Sequence, residues 1–159
     1  MTVSSLGPLR FGSVSAVTAT RGANDPEVGT TCQEGDEHYR YVYNAGNSQI
    51  SVGQCATVSA VTGYSVTVST TTSVDFAVGV CKHATLTTGT YGWLLTKGFG
   101  PAKAHANSGL AAGGILTAGA DGVVADMGSI ATGYVGSKIG KVTVATASGG
   151  NGEAFYCIF

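Results

Sequence analysis

The chain has 159 residues, 25 of them glycine, and 11% of its residues are charged, against roughly 25% in typical soluble domains. The net charge of -1 provides no basic surface for nucleic acid, and no apolar run is long enough to predict a membrane helix. The length predicts one structural domain, and the abundance of valine and threonine excludes a disordered chain.

The first 36 residues are expected to form a strand followed by an arm. Residues 10–20 alternate enough to predict a strand. Residues 21–36 are rich in glycine and turn formers and poor in apolar side chains, which predicts a long loop or arm. Such a run is often functional: it either reaches a neighbouring subunit or forms a mobile surface loop. The first ten residues lack the features of a signal peptide, which predicts synthesis in a reducing cytoplasm.

Residues 37–159 are expected to form one β-rich domain. Side chains alternate with the period of a strand, and turn formers separate the strands, as at Asn44–Ser48, Asp121–Gly122 and Asn151–Gly152. Strands are predicted near residues 38–43, 55–61, 64–69, 74–80, 91–95, 101–106, 115–124, 141–145 and 154–159. The pattern favours an all-β, single-domain β-barrel or β-sandwich (β-tulip-like) with an extended N-terminal arm or loop.

Motifs for catalysis are absent from the sequence. It contains no nucleophile elbow, P-loop, dinucleotide fingerprint or zinc-protease motif. The three histidines lie in strand patterns: His38 directly follows Asp36 and Glu37, whereas His83 and His105 have no carboxylate nearby in sequence. The adjacent acids Asp36 and Glu37 are typical of a solvated turn. We therefore expect no enzymatic activity, no catalytic residue and no cofactor.

The four cysteines, Cys32, Cys55, Cys81 and Cys157, do not predict a disulfide framework, because their spacings are wide and no secretion signal is evident. Cys81 and His83 stand two residues apart and could face the same side of a strand as zinc ligands. A buried free thiol beside a surface histidine is the better interpretation. We expect no metal site.

The aromatic side chains have two interpretations. Tyr39, Tyr41, Tyr43, Tyr91 and Trp93 could form an exposed platform for sugars or protein partners. Alternatively, at least half of them belong to the core. The hydrophobic end of the chain, residues 154–159, should be buried in the sheet or in an interface.

Several segments resemble one family of viral proteins. These are residues 35–50, 63–69, 75–84 and 89–98, and the most distinctive part is Val78-Gly-Val80 followed by Gly89-Thr-Tyr-Gly-Trp93. Over residues 33–130 the chain is similar to the capsid decoration (cement) proteins of tailed bacteriophages. The resemblance implies a β-rich and often trimeric protein on the outer capsid surface, at three-fold or quasi-three-fold positions.

The function that the resemblance implies is a non-enzymatic virion protein, made in the host cytoplasm, that trimerises on the outer shell and bridges subunits of the major capsid protein. The rival hypothesis is a glycan-binding adhesin or tail-tip module that uses a Tyr/Trp surface. A tail-tube or head-completion protein is a weaker third possibility. Candidate capsid contacts are Arg10, Phe11, Arg21, Asp25 and Glu27, and candidate trimer contacts are Tyr41, Trp93, Phe155 and Phe159.

Overall fold

The computed structural model describes residues 13–23, 25–59, 64–68, 76–104, 109–119, 124–126 and 138–158. Every regular element in these ranges is a β-strand, so this part of the chain has no helix that could cross a membrane. The all-β, single-domain prediction is confirmed. In chain order the strands are β1 (Thr31–Glu34), β2 (Glu37–Asn44), β3 (Cys55–Val58), β4 (Ser65–Val68), β5 (Ala77–Val80), β6 (Tyr91–Lys103), β7 (Ile115–Ala118), β8 (Val124–Asp126), β9 (Lys138–Val144) and β10 (Asn151–Cys157).

Five of the strands close into a barrel. The order β2-β4-β3-β5-β6 is completed by a direct pairing of β6 with β2, and only the β2–β4 pair is parallel among these neighbours. Each barrel strand points small or branched apolar side chains to one shared cluster, since side chains alternate between the two faces of a strand. The buried members of this cluster are Val42, Ile50, Ala56, Val66, Val68, Val78, Cys81, Leu86 and Leu94.

Strand β6 joins the barrel to a second sheet. Its first half pairs with β2, and its second half pairs with β10 in the order β6-β10-β9-β7-β8. A second core packs between this sheet and the outer wall of the barrel, where Tyr41, Trp93 and Leu95 meet Tyr156 and the other sheet residues. Both faces of β2 and of the first half of β6 are therefore covered, because Val42 and Leu94 face the barrel interior while Tyr41 and Trp93 face the second core.

A buried asparagine organises one end of the barrel. The Asn44 side chain is fully buried, and its Nδ2 donates to the carbonyl oxygens of Ser48 at 3.0 Å and Leu86 at 2.9 Å. Its Oδ1 accepts from the Gly46 amide at 3.0 Å. Buried polar groups need such partners, because an unpaired group loses its hydration without compensation. Asn44 thus joins the end of β2 to the two loops that close the barrel.

The N-terminal region differs from the sequence expectation. Residues 13–20 form no regular strand, because a turn brings the Ala16 amide to the Ser13 carbonyl and a single bridge then joins Thr18 to Tyr91. The loop predicted for residues 21–36 is wrong at its end, where residues 31–34 form β1 and pair antiparallel with β2. Gly35, with φ of 61°, permits the tight turn between these strands. The residues just before β1 lie beside the barrel because they form backbone hydrogen bonds with Tyr41.

The predicted hairpins occur, with one shift in position. Strands β3 and β4 pair antiparallel, as do β7 and β8; the turn Asp121–Gly122 lies outside the described residues. The last hairpin turns at Ser148 and Gly149, whose φ is 71°, and the placement of this turn at Asn151–Gly152 was wrong. Those two residues begin β10 and pair with β6, because Gly149 already supplies the left-handed conformation that the turn requires.

Candidate interaction surface

The second half of β6 places small residues inward and large residues outward. Gly98, Gly100 and Ala102 are buried, whereas the residues between them are at least partly exposed. This arrangement inverts the usual pattern, in which large apolar side chains point inward. The outward residues of this half are Lys97, Phe99, Pro101 and Lys103.

Large side chains from neighbouring positions fill the space behind these small residues. A Cβ atom at Gly100 would lie 2.7 Å from Leu95 Cδ2 and 3.6 Å from Tyr156 Cε2. Tyr156 is fully buried, and its hydroxyl donates to the Pro101 carbonyl at 2.8 Å. Burial raises the pKa of the Tyr156 hydroxyl, so it remains a neutral donor. The second core therefore leaves no room for a side chain at Gly100. The large side chains in the second half of β6 point to solvent instead.

The outward residues form a surface that we name the aromatic face, defined as the outward side chains of the second half of β6, of β10 and of residues 141–143 of β9, together with Ile115. The rings of Phe99 and Phe155 meet edge to face with centroids 5.1 Å apart, and Phe99 is 59% exposed. Strand register extends this pair into one row, since Phe155 lies opposite Lys141 and Lys141 opposite Ile115. Such an exposed apolar cluster on a sheet is typical of an interaction site.

Positive charge surrounds these rings. Lys97, Lys103 and Lys141 lie on the aromatic face, where Glu153 is the single carboxylate among the described side chains. Among the described side chains the ion pairs are Arg21–Glu27 and Lys82–Glu37, so these three lysines have no carboxylate partner there. A groove of about 490 Å³ runs beside Phe99, and its walls are Lys82, Phe99, Gly100, Pro101, Asn151, Gly152 and Glu153.

A polar cluster fastens the loop after β5 to the start of β2. The Tyr39 hydroxyl donates to Glu37 and lies 2.9 Å from His83 Nε2, and Lys82 donates to the other Glu37 oxygen. The Tyr39 and His83 rings are stacked, with centroids 5.7 Å apart. The fold therefore brings a carboxylate close to His83, although none is near it in sequence. Burial, followed by the bond to Glu37, raises the pKa of Tyr39, so the hydroxyl acts as a structural donor rather than as a nucleophile.

Glu37 makes this cluster sensitive to pH. Partial burial by itself would raise the pKa of Glu37, but the hydrogen bonds from Lys82 and Tyr39 outweigh burial and hold that pKa below its ordinary value. A carboxyl with a lowered folded-state pKa adds stability above its unfolded pKa, and this contribution is lost as the pH falls through the folded-state pKa.

We expect Glu37→Gln to lower the free energy of unfolding by about 1 kcal/mol at pH 7, because a charged hydrogen-bond acceptor is lost at a partly exposed site. The difference should shrink as the pH falls through the lowered pKa, where the wild-type carboxyl becomes protonated. Urea unfolding at a series of pH values measures the difference in the free energy of unfolding and its dependence on pH. The exposed Glu34 on β1 provides the control, and Glu34→Gln should change little at any pH. A Glu37→Gln deficit that stays constant with pH would contradict the role of its charge.

The structure places three candidate capsid contacts together in one loop. Arg21 Nη2 donates to Glu27 Oε1 at 3.1 Å, and the Asp25 carboxylate accepts from the Gly22 amide at 2.6 Å. Glu27 is largely exposed and Arg21 is partly exposed, so this loop presents the charges of Arg21 and Glu27 to solvent. The other two candidates, Arg10 and Phe11, lie outside the described residues, as does the candidate trimer contact Phe159.

Two of the candidate trimer contacts are core residues. Tyr41 is 4% exposed and Trp93 is 7% exposed, and their rings lie 5.0 Å apart within the second core. Tyr39 is also fully buried, while Tyr43 and Tyr91 are half-buried and their rings lie tilted with centroids 4.7 Å apart. Three of the five rings are therefore buried and two are half-buried, so they form no continuous exposed platform of the kind that the glycan hypothesis requires. The fourth candidate, Phe155, lies on the aromatic face.

The aromatic face contains residues that the sequence interpretation missed. Phe99 and Lys141 were not singled out, because neither belongs to a run of alternating large apolar residues. A signal was nevertheless present, since residues 97–104 alternate large residues with glycine and alanine without a break. A strand with only small residues on one side has to pack that side closely against a neighbour, which leaves its large residues outside.

The four cysteines are not paired with one another in the structure. All four lie in described positions and none forms a disulfide. Burial raises the pKa of Cys55 to about 12 and that of Cys81 to about 11, so both are poor nucleophiles. Cys81 donates to the Ala84 carbonyl and lies in the barrel interior, whereas Cys55 belongs to the second core. Within the described ranges no three His, Cys, Asp or Glu side chains converge as a metal site.

Comparison with known proteins identifies a shared fold. No family model and no curated protein matches the sequence. Among solved structures, the N base of the head fiber protein gp8.5 of bacteriophage phi29 matches with a TM-score of 0.52 and 13% sequence identity. The match covers 74% of this chain and 93% of the phi29 chain. The chain is thus an all-β protein with the fold of a phage head fiber base.

Proposed function

We propose that this chain is a structural protein of a tailed-phage virion that attaches to the outer surface of the head as a capsid decoration (cement) protein. The observation that supports the proposal most strongly is the fold shared with the phi29 head fiber base over 93% of that chain. The narrower assignment to decoration proteins rests on the resemblance noted for residues 33–130, for which no family model and no curated protein gives a match.

The surface of the chain suits attachment better than catalysis. Its titratable cluster at Glu37, Tyr39, Lys82 and His83 is engaged in mutual hydrogen bonds. The exposed Phe99 and the half-buried Phe155 lie on a sheet whose other side is packed by the second core. Rigid sheets that display apolar anchors among charges are typical of protein–protein interfaces.

We further propose that the protein acts as a homotrimer that bridges neighbouring subunits of the major capsid protein. In a trimer the second and third contacts become intramolecular, so weak individual interfaces give tight attachment. A protein that binds only the expanded shell stabilises that state by mass action. This is the physical route by which a chain without catalytic groups would strengthen a head against internal DNA pressure.

The proposal is tested by mixing the purified chain with empty shells assembled from the major capsid protein of the phage that encodes it. We expect saturable co-sedimentation with expanded shells and a higher temperature of shell disruption when the sites are filled. Unexpanded shells are the matched control and should bind less. A chain lacking residues 1–12 tests the proposed capsid contacts Arg10 and Phe11 in the same assay, and circular dichroism checks that the shortened chain folds.

Absence of binding to either form of the shell would contradict the decoration function. Binding to an array of glycans without binding to shells would instead support the adhesin hypothesis. Light scattering of the free protein and of protein released from shells measures the oligomeric state, and a monomer in both conditions would contradict the trimer.

A further inference from the structure

The aromatic face differs in character from the rest of the described surface. Phe99 projects into solvent in contact with Phe155, and the two rings stand on the adjacent strands β6 and β10 of the second sheet. The opposite side of the same strands is fully packed by residues such as Ala154 and Tyr156. The two phenylalanines therefore do not contribute to the internal core, and the fold does not require them to be apolar.

The charges on this face are unbalanced. Three lysines, Lys97, Lys103 and Lys141, stand around the rings with one carboxylate, Glu153. The chain as a whole has a net charge of -1, so the local excess of positive charge is a property of this face and not of the composition. Complementary charge is what selects one partner surface over others and steers its approach.

We propose that the aromatic face is the surface by which the protein docks on its partner, and that the partner presents carboxylates around an apolar centre on the phage head. This inference rests on the proposed function and adds the docking surface and the chemistry of the site that receives it. Phe99 is the anchor, because exposed aromatic side chains that become buried contribute most of the energy of an interface. The groove beside Phe99, between Lys82 and Glu153, receives a side chain of the partner.

Contact of this face with the same face of a second copy is disfavoured by the same charges. A two-fold contact would bring the lysines of one copy against the lysines of the other, and like charges that face each other across an interface are repulsive. The arrangement therefore favours a partner of opposite charge, and self-association through this face is the alternative that the experiment has to separate.

The test measures the dissociation constant for expanded shells with four variants. Phe99→Ser and Lys141→Glu should each weaken binding about tenfold or more. Phe76→Ser is the matched control, because Phe76 is 77% exposed immediately before β5, which belongs to the barrel and not to the second sheet, and it should bind as the wild type does. Glu153→Gln removes the one negative charge and should leave binding unchanged or tighten it. Raising the salt concentration should weaken the wild type more than Lys141→Glu. Circular dichroism and thermal melting of each variant confirm that it folds.

The outcomes separate the two proposals. Wild-type protein that fails to bind shells overturns the decoration function and this inference with it. Wild-type binding that is retained by both Phe99→Ser and Lys141→Glu overturns the docking surface alone. Shell binding that is retained while Phe99→Ser lowers the mass measured by light scattering also overturns it, and assigns the face to contacts between copies.

Discussion

Replacing Asn44 with alanine should lower the free energy of unfolding by about 3 kcal/mol. The Asn44 side chain is fully buried and makes three hydrogen bonds, to Ser48, Leu86 and Gly46. Each intramolecular bond contributes roughly 1 kcal/mol, and a buried partner left unpaired costs more. The loss should also loosen the closed end of the barrel, since the side chain joins β2 to both neighbouring loops. Urea denaturation followed by tryptophan fluorescence measures the change.

The same turn offers a control. Asn47 is exposed, and Asn47→Ala should change the free energy of unfolding by less than about 0.5 kcal/mol. Asn44→Asp should be nearly as damaging as Asn44→Ala, because a carboxylate cannot donate to the Ser48 and Leu86 carbonyls and its charge would be buried. An Asn44→Ala variant within 1 kcal/mol of the wild type would show that water replaces the side chain and that the network is dispensable.

Tyr156→Ala should cost about 4 kcal/mol, the largest effect that we expect from a single substitution. Tyr156 is fully buried in the second core, and truncation of a large buried aromatic side chain leaves a cavity that costs roughly 3–5 kcal/mol. The variant also loses the hydrogen bond to the Pro101 carbonyl. Tyr156→Phe separates the two contributions, because it keeps the ring, and should cost about 1 kcal/mol.

The neighbouring Phe155 is the matched control for Tyr156. It occupies the next position of β10 and points to the opposite side of the sheet. Phe155→Ala should cost less than about 1.5 kcal/mol, because a half-exposed ring loses little burial. Equal losses at positions 155 and 156 would contradict the assignment of inward and outward faces on which the aromatic face depends.

The positions of most strands follow from local chemistry and could be predicted. The alternation at Tyr39–Tyr43, Ser65–Val68 and Tyr91–Leu95 is a property of the extended backbone, whose side chains point to opposite sides at successive residues. The structure has strands at all three. The turn at residues 148–149 shows the limit of this approach. Both residues 148–149 and Asn151–Gly152 have the sequence of a turn. Because Asn151 and Gly152 pair with β6, the turn forms at residues 148–149.

The interaction surface could not be predicted from the same patterns. Alternation separates two faces of a strand but does not say whether both are covered. Tyr41 and Trp93 were therefore candidates for a contact surface, whereas in the structure the second sheet packs over them. No sequence pattern indicated Phe99 as a contact residue. It is exposed because Leu95 and Tyr156 occupy the space on the other side of β6.

The all-β class and the approximate positions of the strands follow from the sequence, because these depend on residues close together along the chain. The closure of five strands into a barrel, the sharing of the long β6 with a second sheet and the exposure of particular aromatic residues follow only from the folded chain. These features depend on contacts between distant segments, such as the pairing of Phe99 with Phe155 and of Tyr39 with His83. Local periodicity contains no information about which of these segments meet.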